Sequence, residues 1–171
     1  MALVQIPTSA VEGMTLLSTT TLTGTSVVVS SINQTYNYLQ VFITGIDFSA
    51  ADHMLIRPNS ATSNMNNAVV STASGTAVTS TTRWNPSQAR NVRATSNEGV
   101  VILDIYNYAS TTAWKTANWN ATFFDDTSST NTAFFGYGIY SSTDAITSLQ
   151  FRTDSGTNTF DGGTIKIYGV K

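Results

Sequence analysis

The residues able to do chemistry are few and scattered. His53 is the only histidine and cysteine is absent. A Ser-His-acid site would therefore have to be built on His53, which lies in Ser49-Ala50-Ala51-Asp52-His53 with no G-x-S-x-G nucleophile motif anywhere. One histidine without cysteine falls short of the three or four ligands that zinc takes. Asp125-Asp126 follows Phe123-Phe124, and Asp154-Ser155-Gly156-Thr157-Asn158-Thr159-Phe160-Asp161 joins two strand-like runs. Oxygen-rich loops can hold calcium, but the EF-hand spacing with its closing glutamate is missing, and Asp, Asn and Gly are ordinary turn chemistry. Adjacent aspartates also lack the separation across a cleft that glycoside hydrolysis needs. The expectation is a chain that is not an enzyme and carries no cofactor or metal.

Binding chemistry leaves more to weigh. Trp84, Trp114 and Trp119 could stack on sugar rings, or belong to a core or a subunit interface, where aromatics are enriched. For Trp114 and Trp119 the core or interface reading is the stronger. Arg83, Arg90 and Arg93 form the only loose basic group, and a solvated loop or an inter-subunit contact accounts for it. Nucleic-acid binding needs clustered Lys and Arg, so no nucleic-acid partner is expected. No apolar stretch approaches the roughly 20 residues of a membrane-spanning helix, and Met1 to Pro7 lacks the basic start and apolar run of a secretory signal.

The elements that must carry these residues are strands. The chain has 171 residues, 41% of them apolar and only 11% charged, with a net charge of −2; Ser and Thr make up about 29% of it. Thr suits a pleated surface, and Ser and Asn suit turns. Leu39, Val41 and Ile43 alternate with Tyr38, Gln40 and Phe42, which predicts a strand with one buried face. Met54 to Arg57 is a second run, stopped by Pro58-Asn59. From Val100 to Tyr108, Val101, Leu103 and Ile105 face one way and Ile102, Tyr106 and Tyr108 the other, as in an interior strand. Phe134–Tyr140, Ile146–Arg152 and Thr164–Val170 follow, with Leu149/Phe151 and Ile165/Ile167 marking the core. Val27–Val29 and Trp119–Phe124 are further strands. The polar stretch 59–97 predicts long loops or an edge hairpin. The pattern implies an all-β, antiparallel double-sheet sandwich, jelly-roll-like, over residues 14–171, preceded by a short extended N-terminal arm over 1–13. Leu3, Val4 and Ile6 make that arm apolar, so it is a candidate for pairing with a neighbouring chain by strand addition.

Several segments together resemble a group of uncharacterised virion structural proteins of tailed bacteriophages, especially those of aquatic bacteria. The resemblance runs from Tyr38 onward. It rests on Tyr38-Leu39-Gln40, Leu55-Ile56-Arg57-Pro58-Asn59, Ile102 to Tyr108, Lys115-Thr116, Ser142 to Leu149, Asn158-Thr159-Phe160, and the ending Gly163 to Lys171. The chain departs from that group's pattern at Gly136-Tyr137-Gly138-Ile139-Tyr140, where a tryptophan is expected, and in the long polar region near Ser71 to Thr82. The resemblance implies a phage structural protein with a jelly-roll-like domain. A low-charge surface, cheap to desolvate, then favours a decoration or cement protein. Such a protein would be made in the host cytoplasm and seated on the head surface as a homotrimer, with the major capsid protein as partner. The alternative is a tail-associated or fibre-tip module that binds host carbohydrate. Possible interface residues are Leu3, Val4, Ile6, Trp84, Trp114 and Trp119.

Overall fold

A computed structural model describes residues 13–72, 78–87, 99–125 and 129–171. They form eleven strands and no helix: β1 Met14–Thr21, β2 Ser26–Val29, β3 Tyr38–Phe48, β4 Met54–Pro58, β5 Met65–Ser71, β6 Val78–Ser80, β7 Gly99–Tyr106, β8 Lys115–Asp125, β9 Thr130–Tyr140, β10 Leu149–Thr153 and β11 Phe160–Val170. Two antiparallel sheets result. One has eight strands in the order β1-β11-β3-β7-β8-β9-β5-β6, the other three in the order β2-β10-β4. The chain passes between the sheets at β2, β4 and β10. It is a double-sheet β-sandwich whose strand exchange is jelly-roll-like, with unequal layers.

Alternation explains why these segments pair as they do. Leu39, Val41 and Ile43 on β3 lie level with Ile105, Leu103 and Val101 on β7 and with Gly169, Ile167 and Ile165 on β11. All the large side chains among them are fully buried. A slip of one residue would turn this entire set to solvent, so the register is strongly specified. Leu149 and Phe151 of β10 face the same core from the small sheet, between Val27/Val29 of β2 and Ile56/Pro58 of β4. Each such side chain contributes on the order of 1.5–3 kcal/mol by leaving water. Asn59 adopts φ 51° after Pro58 and ends β4.

Three regions depart from the alternation. Tyr108 falls beyond β7, where Asn107 at φ 57° turns the backbone and sends the ring into the core instead of onto the outer face. Ile146 lies before β10 and is buried in the connection that leads to it. The polar stretch after Asn59 holds the edge hairpin β5–β6 and then contributes Trp84, which bonds Ile56 through both backbone groups at 2.8 and 3.0 Å. That bridge ties the two sheets together along one side.

One end of the sandwich is fastened by side chains bonded to backbone. Tyr108 Oη donates to Asn33 O at 2.5 Å and accepts from Tyr36 N. Asn59 Oδ1 accepts from the amides of Thr147 and Ser148, while its Nδ2 donates to Ala145 O. Lys115 is wholly buried, and its Nζ donates to the carbonyls of Ser110, Ala113 and Ser142 at 2.7–3.1 Å. Burial lowers its pKa, and Asp144 opposes that shift.

Candidate functional site

Among the described residues, no strand of the three-stranded sheet lies on the outer face of the eight-stranded sheet, and large apolar side chains there are exposed. The side chains of that face stand in rows set by the register. One row reads Thr19, Lys166, Phe42, Ile102, Asn120, Phe135, Val70 across seven strands. The next reads Leu16, Tyr168, Gln40, Asp104, Asn118, Tyr137, Ala68, and the rows flanking these two begin at Met14 and at Thr21. Across all four rows only Lys166 and Asp104 carry charge, and Asp104 accepts a bond from Gln40 Nε2 at 2.8 Å. Aromatic rings punctuate the face. Phe42 meets Tyr168 edge-on and Tyr38 lies against Tyr106, while Phe135 and Tyr137 stand out at 52% and 56% exposure beside Val70 at 42%. A shallow depression of about 150 Å³ lies against Phe135, floored by Val100, Ile102 and Ala133.

The glycines of β9 explain how this face is built. Gly136 and Gly138 point inward, where a Cβ would come within 2.4 Å of the Trp119 indole and 2.5 Å of the Trp84 indole. Two large rings therefore lie flat on the β9 backbone, and Phe135 and Tyr137 between and beside those glycines turn outward. The Gly-Tyr-Gly segment, the departure noted in the sequence, is a seat for two tryptophans brought from elsewhere in the chain.

This arrangement separates the three tryptophans. Trp84 is 0% exposed, with Nε1 directed at Ile139 O, and Trp119 is equally enclosed. Both are core residues, so neither can act as an interface anchor or a sugar platform; the cause is the room left by Gly138 and Gly136. Trp114 alone is open, at 58%. Leu3, Val4 and Ile6 lie outside the described residues, as do Arg90, Arg93 and Asp126. Sequence reasoning missed Phe135 and Tyr137. Aromatics at both parities of Phe134–Tyr140 were the available sign that one set must face out.

The residues first considered for catalysis do not converge. Asp52 accepts from His53 N at 2.7 Å, from the amides of Asp154 and Ser155 at 3.2 Å, and from Ser155 Oγ at 2.6 Å. Its carboxylate fastens the loop after β3 to the loop after β10. The serine bonds the carboxylate directly, so no imidazole stands between them to take a proton. Asp161 Oδ1 accepts from Thr159 Oγ1, and Gly156 turns the same loop at φ 70°. Among the described residues no group of three or more His, Asp or Glu side chains is placed to hold a metal ion, and no helix is long and apolar enough to cross a membrane.

No protein-family model, curated protein or solved structure matches the chain.

Proposed function

We propose that this protein is a non-catalytic structural component of a bacteriophage particle, a decoration or cement protein that packs as a homotrimer on the outer shell against the major capsid protein. The observation that carries the reading is the outer face of the eight-stranded sheet, with two charges in four registered rows and exposed rings at Phe135 and Tyr137. Association surfaces favour aromatics and avoid charges at their centres, because buried charges must be paired or lose their hydration. Contiguous exposed apolar patches on a single chain commonly mark interaction sites. The resemblance to tailed-phage virion proteins supplies the kind of assembly.

Counting copies in purified particles tests this. A decoration protein is present at on the order of hundreds of copies per particle, as expected for one seat per local symmetry axis of a closed shell. A handful of copies would overturn the reading. Particles stripped of the protein are also expected to lose DNA sooner on heating.

A second reading rests on the exposure of Trp114, Phe135 and Tyr137. Rings open to solvent on a sheet or at its end can stack on sugars, which suits a tail-associated or fibre-tip module. Binding on a glycan array, without cleavage and with a low copy number, would favour it.

A further inference from the structure

The outer face of the three-stranded sheet gathers charge that the large sheet lacks. Ile56 and Phe151 are paired and buried, so Arg57 on β4 and Arg152 on β10 share the outward parity. The antiparallel bridge between Ile56 and Trp84 sets Arg83 beside Arg57. Arg83 then crosses β4 toward β10, pairing with Asp154 at 3.2 and 3.3 Å. Leu55, level with Arg152 and directed away from the core, is nevertheless only 1% exposed. Three arginines from three distant stretches of chain thus share one outer face, close enough that Arg152 and Arg83 both repel Arg57.

Among the described residues their charges are not balanced. Three arginines against Asp154 leave two positive charges in excess, and counting Asp52, whose oxygens are turned to loop amides and Ser155, still leaves one. Arg152 Nε donates to Thr153 O at 3.1 Å, but the other two arginines keep bare donors. Arg57 Nε and Arg83 Nε are buried donors without a hydrogen-bond partner. Buried donors are nearly always paired, so a concentration of bare ones marks a place where an acceptor belongs. Burial, followed by repulsion from Arg152 and Arg83, lowers the pKa of Arg57, with Asp154 only partly opposing; an anion there would counter the repulsion.

We propose that the Arg57, Arg83 and Arg152 cluster is a binding site for a tetrahedral dianion, a sulfate or phosphate group, either free or carried on a sugar chain. Planar guanidinium forks match such oxyanions in geometry. A dianion also answers the excess charge better than a single carboxylate would. The site lies on the opposite layer from the aromatic face and stands independently of the assembly reading.

The test is thermal unfolding and calorimetric titration of the full chain with sodium sulfate, sodium phosphate and a sulfated hexasaccharide, against sodium chloride at equal ionic strength. A saturable rise in Tm with sulfate or phosphate, absent in chloride, is expected. Arg57→Gln and Arg152→Gln should each weaken binding about tenfold, the loss of one charge-assisted contact, while Lys171→Gln should not. Arg57→Lys keeps the charge but not the fork; should Arg57→Gln fail to fold, it supplies the comparison and should also weaken binding. Tighter binding of the hexasaccharide than of sulfate identifies the group as one borne on a sugar, and equal affinity identifies a free ion. No effect beyond chloride, or unchanged affinity in the folded arginine variants, overturns the proposal.

Discussion

The outer face of the eight-stranded sheet holds two charges in four rows, whereas the outer face of the three-stranded sheet holds Arg57 and Arg152 with Arg83 beside them. On the large face the exposed groups are rings, hydroxyls and amides, and the one carboxylate in the rows is bonded to Gln40. On the small face Leu55 is buried beside the arginines, and two of their Nε donors are left unpaired. The same chain thus presents one surface that gives up water cheaply and one that demands a counter-charge. With charges so scarce in this sequence, clustering them on one layer is what leaves the other free to pack.

The two faces exist only while the core between the sheets holds them together. Phe151 sits on the inner side of β10, fully buried and level with Val27 and Ile56. Phe151→Ala should therefore have the largest effect, about 3–5 kcal/mol, read as a lower midpoint in urea unfolding. A near-neutral result would mean that the small sheet does not depend on this contact. Gly138→Ala comes next, because its Cβ would meet the Trp84 ring at 2.5 Å. Overpacking of this kind costs about 1–3 kcal/mol, and it should disturb Trp84 fluorescence as well as the unfolding midpoint.

A smaller effect is expected at the fastened end. Tyr108→Phe leaves Asn33 O without its donor and should cost about 1 kcal/mol at neutral pH. Burial raises the Tyr108 pKa above its usual 10.0. The unfolded chain therefore ionises first as pH rises, and the stability tied to the neutral phenol is complete below pH 10 and lost through the interval up to the raised value. Wild-type protein should lose stability more steeply than Tyr108→Phe above pH 10, and parallel pH profiles would contradict this. The smallest change belongs to the aromatic face. Phe135→Ser with Tyr137→Ser should alter monomer stability by only about 0.5 kcal/mol per site, since both rings are more than half exposed.

Much of the sandwich was legible in the sequence because one face of each main strand is apolar. The alternations at Leu39–Ile43, Val101–Ile105, Leu149–Phe151 and Ile165–Ile167 all mark buried positions. The hairpin β5–β6 and Trp84 were harder to read, for a physical reason: Asn67, Ser71, Asn85 and Ser87 are buried there beside Met65 and Val69. Polar residues inside a strand erase the period that alternation relies on. Arg83 was grouped with Arg90 and Arg93 because they are close in sequence. Among the described residues its neighbours include Arg57 and Arg152, from β4 and β10, and only the register of the small sheet reveals them. The aromatic face lay between these extremes. Its residues were visible as strand positions, but which rings point outward depends on the inward glycines at 136 and 138.

In the function proposed above, the sparsely charged face of the eight-stranded sheet seats the protein in a particle. Rebinding of purified protein to particles lacking it, quantified as copies per particle, tests it most directly. Wild-type protein should restore on the order of hundreds of copies, as symmetric shell seats require. Phe135→Asp with Tyr137→Asp places two carboxylates on that face at sites more than half exposed; with an unfolding midpoint near wild type it should restore almost none, because each buried charge must be desolvated without a partner. Saturation at a handful of copies, or full rebinding by the doubly substituted protein, would contradict the account.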